Sequence, residues 1–224
     1  MPNDFLSGKK ILITHAQKLF NGKSIFGIDN NSTQVGCLIL DDSHACIDAI
    51  KTSFTIKLSK DTEVYKKLLT LFEDDLRNQG EGSFMDLQNG DYDTVMPIPY
   101  WSWIDKRVEV TQILSVNRSE TEITFVWPII KDHIDKCQAF ISGSEIEISP
   151  YIIPLDKFGT FTTADQRILM SATTQDDSFF IKGLNFSIEA VKKPLTTKTQ
   201  RWSGEKMMLL PSLIDESCNK TSIL

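Results

Sequence analysis

Ser53-Phe54-Thr55-Ile56-Lys57-Leu58, and the helical pattern that runs from Asp61 to Gly80 directly after it, set the class of fold. The first six residues alternate. Phe54, Ile56 and Leu58 face one way and Thr55 and Lys57 the other, the period-two pattern of a half-buried strand. The period then changes. Val64, Leu68, Leu71 and Phe72 recur at i, i+4, i+7 and i+8, and Tyr65, Leu69 and Leu76 widen the stripe. That spacing predicts an amphipathic helix over about residues 61–79. Asp61 is the predicted N-cap, Glu63 suits the positive end of the dipole, and Gly80 supplies the stop. Glu63 with Lys67 and Glu73 with Arg77 are i,i+4 pairs, each worth roughly 0.2–0.5 kcal/mol. A strand feeding a one-sided helix implies an α+β arrangement in which the helix covers one face of a sheet.

Toward the C-terminus, residues 81–99 read as a loop, with Gly82, Asn89-Gly90, Pro97 and Pro99. Between Trp103 and Lys193 apolar and polar residues alternate repeatedly. Residues 108–116 and 121–127, joined by Asn117-Arg118-Ser119-Glu120, predict a hairpin with a bulge near Gln112. Pro128 opens a short helix with Ile130, Ile134 and Cys137 on one face. Residues 145–149 and 151–155 predict short strands, and Pro150 and Pro154 argue for an edge position. Thr163 and Gln166 match a capping box; alternatively, residues 167–173 form a strand. Leu184, Phe186, Ile188 and Ala190, with Asn185, Ser187 and Glu189 between them, predict a last strand within 179–192. Toward the N-terminus, Lys10-Ile11-Leu12-Ile13-Thr14 predicts a short strand, residues 29–33 a turn, and residues 35–40 a second apolar run. The expected fold is therefore α+β and β-rich. It is a mostly antiparallel sheet or sandwich, with one strong covering helix and one or two short helices.

The chain has 224 residues, 41% hydrophobic and 24% charged, enough for one large domain with a substantial core. Its net charge of −6 argues against general nucleic-acid affinity, and no sequence-specific nucleic-acid binding is expected. No secretory signal and no membrane-length apolar run is visible, so a cytoplasmic location is expected, with the virion as a further setting. Cys37, Cys46, Cys137 and Cys218 show no paired spacing and read as free thiols in a reducing compartment. Beyond Lys193-Pro194 the character changes. Residues 192–206 carry five cations (Lys192, Lys193, Lys198, Arg201 and Lys206) and one acid, a net +4, which leaves −10 on the remainder. Met207-Met208-Leu209-Leu210-Pro211-Ser212-Leu213-Ile214 follows as an isolated apolar peptide. Residues 1–193 are read as one globular domain and 194–224 as a tail with a short docking peptide.

The chemistry of known sites is hard to find. The opening Phe5-Leu6-Ser7-Gly8-Lys9-Lys10-Ile11-Leu12-Ile13-Thr14 is similar to the first strand of short-chain dehydrogenases. The glycines a pyrophosphate needs do not follow it, and no later Tyr-x-x-x-Lys appears. His44 between Cys37 and Cys46 matches no zinc spacing. His133 falls on the polar side of a short helix and reads as solvated. The acid pairs Asp41-Asp42, Asp74-Asp75 and Asp176-Asp177 read as solvated surface, and neighbours on a helix cannot share one proton. Tyr100-Trp101-Ser102-Trp103 is the densest aromatic cluster, suited to core packing or to stacking on a ligand. No catalytic residue, metal site or cofactor is expected.

The strand at 53–58 and the helix to Gly80, with Phe72-Glu73-Asp74 near its end, resemble the opening of rhabdovirus-type matrix cores. The resemblance covers residues 53–80. Family members usually carry a basic N-terminal arm and a Pro-Pro-x-Tyr budding motif. This chain has neither, and Pro97-Ile98-Pro99-Tyr100 has the wrong order. The resemblance implies self-association and contact with nucleocapsid and membrane.

The sequence thus points to a non-enzymatic, self-associating structural or interaction protein of matrix-like kind. It would contact other proteins or an anionic membrane through its tail. Candidate contact residues are Tyr100, Trp101, Trp103, Lys192, Lys193, Lys198, Arg201, Met207, Met208, Leu209, Leu210, Leu213 and Ile214. The alternatives are a carbohydrate- or peptide-binding β module using the 100–103 aromatics, and a hydrolase with spatially paired carboxylates.

Overall fold

A computed structural model describes residues 1–91, 93–170 and 178–195. In chain order it contains strand β1 (Cys37–Leu40), helix α1 (Ser43–Ser53), strand β2 (Ile56–Ser59), helices α2 (Glu63–Gln79) and α3 (Glu81–Gln88) and strand β3 (Val95–Pro97). Helices α4 (Tyr100–Asp105) and α5 (Arg107–Val116), strands β4 (Cys137–Ser142), β5 (Glu145–Pro150) and β6 (Gln166–Leu169) and helix α6 (Ile188–Lys192) complete the longer elements. Short single turns fill most of the gaps. Strands β2-β5-β4-β3 make an antiparallel sheet, and β1 and β6 form a separate parallel pair. The class is α+β, but helix outweighs strand, at 49% against 15%. The β-rich expectation is corrected on that ground.

The deciding stretch folds largely as its periodicity predicts. Ile56 and Leu58 are buried and Lys57 is exposed; Lys57 pairs with Glu147 across the β2–β5 ladder. On α2 the buried residues are Val64, Tyr65, Leu68, Phe72 and Leu76. The cap is Thr62 rather than Asp61: its Oγ1 accepts from the Tyr65 amide at 3.2 Å. Glu63 pairs with Lys66 one position earlier than predicted, while Glu73 meets Arg77 at 2.9 Å as the spacing required. Tyr65 ties helix to sheet by donating from Oη to the Ser142 carbonyl at 2.7 Å.

Several predicted strands are helices. Residues 107–116 form α5, and the slip near Gln112 was a helical period: Val110 and Leu114, four apart, are fully buried. The partner half of that hairpin holds the single turn Thr121–Thr124; the short helix expected at Pro128 is the turn Trp127–Ile130, and it does not reach Cys137, which opens β4. The loop at 81–99 contains α3, which buries Phe84 and Leu87, and the short strand β3. Residues 184–190 alternate but do not extend. Asn185 takes φ +53, and the Ser187 hydroxyl accepts from Ala190 N–H at 3.1 Å to start α6. Leu184 and Phe186 pack on the core, whereas Ile188 stands exposed. Residues 10–14 form no strand, and 151–155 do not continue β5.

The edge reading of Pro150 is also overturned. Its strand, β5, is central, between β2 and β4. Pro150 is tolerated because it is the last residue, opposite Cys137, where the ladder ends. Strand β6 realises the 167–173 alternative as far as Leu169; residues 171–177 lie outside the described residues.

Buried apolar residues from Leu19 to Leu184 form one contiguous core. At one end Phe20, Phe54, Phe158 and Phe161 meet edge to face or tilted, with Phe20–Phe161 centroids 5.2 Å apart. At the other, Phe72 stacks on Trp103 at 5.9 Å and 11°. The parallel pair lies against the aromatic end: Arg167 reaches inward over the rings of Phe161 and Phe186.

Candidate docking edge

A two-stranded parallel sheet is an unusual object, because parallel strands are normally covered on both faces and paired on both sides. In this pair Ile39 sits directly opposite Ile168. Both point outward, 57% and 42% exposed, while Leu40 is buried and Leu169 packs on the core. Met170, just beyond β6, is also exposed.

The hydrogen-bond phase shows which backbone groups are spent. Gln166 N–H donates to Gly36 and Met170 N–H to Leu40, both at 2.9 Å. Even-numbered residues of β6 therefore face β1. The N–H and C=O groups of Arg167 and Leu169 point the other way and meet no backbone partner among the described residues. That outer edge runs along a groove of about 540 Å³. One wall is the four consecutive residues Arg167, Ile168, Leu169 and Met170. Consecutive strand side chains alternate between faces, so a groove touching all four follows the strand edge. The other wall includes Phe180, Phe186, Val191 and Leu195.

Arg167 is not a free cation in this groove. Its Nη1 donates to Leu184 O at 3.2 Å and its Nη2 to Asn185 O at 3.3 Å, which fastens the far wall to the strand. The groove is therefore a largely apolar slot beside a strand edge that is unpaired among the described residues, with Arg167 bridging its two walls. This is the geometry that accepts an extended peptide by main-chain pairing.

The other sheet protects its edges. Strand β3 ends at Pro97, whose carbonyl accepts from the Gln79 side chain at 3.0 Å, and α2 and α3 contact β2 and β3.

The predicted contact residues are dispersed. Trp103 is 1% exposed, and its Nε1 donates to the Ile134 carbonyl at 2.7 Å. It is a core residue, which corrects its place among the contact candidates. Tyr100 and Trp101 are 59% and 70% exposed. Neighbours on a helix point about 100° apart, so the two rings cannot form one platform. Tyr100 alone lines a shallow hollow of about 660 Å³ with Arg107, Lys131 and Asp132. Lys192 and Lys193 are exposed at the end of α6, and Lys193 also lines the docking groove. Lys198, Arg201, Met207, Met208, Leu209, Leu210, Leu213 and Ile214 lie outside the described residues, as do Cys218, Asp176-Asp177 and the side chain of His44.

Among the described residues, the groups that could form a catalytic arrangement are sealed or neutralised. Ser102 and Lys106 are four apart at the end of α4, next to Asp75, but Ser102 Oγ is sealed from solvent. A nucleophile in that position reaches no substrate. Two pairs of acids each share a lysine. Lys57 lies between Glu145 and Glu147, and Lys157 Nζ is 3.9 Å from Asp29 and 3.5 Å from Asp132. A lysine there favours two ionised carboxylates, the opposite of a shared proton. No group of three or more His, Cys, Asp or Glu among the described residues could hold a metal ion, and no described helix is long and apolar enough to cross a membrane.

The sequence reading missed the open edge because pairing is a tertiary property. The available signal was the short apolar run Ile168-Leu169-Met170 after Gln166-Arg167, within the strand alternative at 167–173.

Compared with known proteins, the chain matches no family model, no curated protein and no solved structure.

Proposed function

We propose that this chain is a non-enzymatic, self-associating interaction protein that docks an extended peptide segment on the outer edge of β6. The observation that carries this reading is the backbone of Arg167 and Leu169, unpaired among the described residues along a largely apolar groove. An exposed strand edge is normally blunted by charge, proline or a covering element. Here the segment carrying Phe180, Phe186 and Val191 stands across a groove from the edge rather than paired with it, and the exposed Ile168 and Met170 lie beside it. In its finer form the proposal is matrix-like assembly in the cytoplasm, with the basic stretch from Lys192 onward meeting an acidic partner or an anionic membrane. The carbohydrate-binding alternative is weakened by the burial of Trp103. The hydrolase alternative is weakened by the lysines seated between the acid pairs.

Light scattering of the full chain over a wide concentration range tests the reading. The weight-average mass rises with concentration in the wild type and stays at the monomer value in Ile168→Lys. A wild type that remains monomeric throughout ends the proposal.

A further inference from the structure

The described residues contain a second segment with the complementary defect. Ile11 and Ile13 are 92% and 93% exposed, while Leu12 between them packs on the core. Two β-branched side chains, two residues apart, thus stand on the open side of the chain. The backbone N–H and C=O groups of residues 11–14 meet no hydrogen-bond partner among the described residues. The preceding turn is fixed: Lys9 and Lys10 N–H both donate to the Asp4 carbonyl, at 2.8 and 3.1 Å, and Lys10 Nζ pairs with Asp4 at 2.8 Å. Beyond it, Ala16–Leu19 forms a helical turn that buries Leu19. The segment is therefore held at both ends and offers β-forming residues and free backbone between them.

We infer that residues 11–14 are the added strand: in one protomer they pair with the outer edge of β6 in a second copy of this chain. The inference rests on the proposed self-association and names the occupant of its groove. Three observations favour a second copy over other occupants. Both halves lack backbone partners among the described residues, and both expose apolar side chains. Each also supplies what the other needs, since the groove offers the outward N–H and C=O of Arg167 and Leu169 and an apolar wall that includes Phe180 and Val191. A segment of four residues matches the length of β6.

Donor and acceptor are different surfaces of one molecule, so the contact is heterologous. It propagates to a ring or a filament rather than stopping at a two-fold dimer. It also predicts complementation. A copy with a spoiled donor keeps its acceptor, and a copy with a spoiled acceptor keeps its donor.

The test uses sedimentation velocity of full-length chains. The variants are the donor double substitution Ile11→Lys with Ile13→Lys, the acceptor substitution Ile168→Lys, and a second acceptor variant, Met170→Lys. Circular dichroism checks that each is folded. All four positions are exposed, so the fold is expected to survive. Donor and acceptor variants alone are expected to stay monomeric at concentrations at least about tenfold above those at which wild type assembles. Mixed in equal amounts, they form a one-to-one dimer and stop there.

If the donor double variant assembles like wild type while both acceptor variants do not, the inference fails and the docking reading stands. Leu209→Glu with Leu210→Glu then asks whether the apolar peptide is the occupant. If the donor and acceptor variants are monomeric but their mixture stays monomeric too, the pairing of residues 11–14 with β6 is overturned. A monomeric wild type overturns both readings.

Discussion

Lys106 and Asp75 meet at 2.6 Å across the junction of α2 and α4, about three-quarters buried from solvent on the Asp75 side. Lys106 Nζ also donates to the Leu71 carbonyl at 2.8 Å and lies over the Phe72 ring. One ammonium thus ties together the helix that covers the sheet and the helix that carries Trp103.

This pair makes stability depend on acid pH. Burial raises the Asp75 carboxyl, and the hydrogen bonds from Lys106 and Ser102 together with the Lys106 charge outweigh it, leaving the carboxyl below its ordinary value. A depressed carboxyl stabilises the fold above its unfolded value, near pH 3.9, and that contribution is lost as pH falls through the folded value. Lys106→Met is expected to cost about 1–2 kcal/mol at neutral pH, measured by urea unfolding. The gap to wild type should narrow as the pH is lowered through that window. A constant gap would remove Asp75 as the cause.

The aromatic cluster at 100–103 should split sharply by position. Trp103→Ala is expected to cost about 3–5 kcal/mol, because it empties a core site and orphans the Ile134 carbonyl. Trp101→Ala should lie within about 0.5 kcal/mol of wild type. Equal costs from chemical denaturation would contradict the placement of Trp103.

Gly143 should not tolerate a side chain. A Cβ there would lie 2.5 Å from the Asp91 carbonyl oxygen and 2.5 Å from the Gly90 carbonyl carbon, both backbone atoms that cannot rotate away. Its N–H donates to that Asp91 carbonyl at 3.1 Å. Gly143→Ala is expected to destabilise by about 1–3 kcal/mol, read as a lowered unfolding midpoint. A neutral result would place the Asp91 backbone elsewhere.

Thiol reactivity should rank by environment. In a Cys218→Ser background, the exposed Cys37 reacts first with an aromatic disulfide reagent. Cys46 follows, its thiol pushed up by burial and by Asp42 and Asp41. Cys137, pushed up to about 12 by burial and by Asp135, reacts only on unfolding. Early labelling of Cys137 would contradict its place on the inner face of β4.

The contrast between α2 and α5 shows how far local pattern reaches. On α2 the apolar residues repeat over four turns on a long amphipathic stripe, and the chain carries its own cap, so residues 63–79 were legible within two positions. On α5 the apolar residues are mostly β-branched and partly exposed, with Val108 and Val116 facing solvent. Locally they alternate, and only the packing of Val110 and Leu114 against the core selects the helix. Residues 184–190 failed for a related reason: one left-handed Asn185 and one Ser187 cap redirect a chain whose pattern reads as strand.

By itself, the sequence determined the α+β class and the strand-to-helix unit at 56–79, with its stop at Gly80. These are properties of near neighbours, set by side-chain spacing and backbone preference. Only the tertiary structure decided that β5 is central, that Trp103 is core, and that β6 pairs with β1 and leaves its other edge without a backbone partner among the described residues. Each of those depends on which distant segment lies alongside. That choice is made by the total apolar surface buried and by the hydrogen bonds left unmade, and neither quantity exists until the chain has closed on itself.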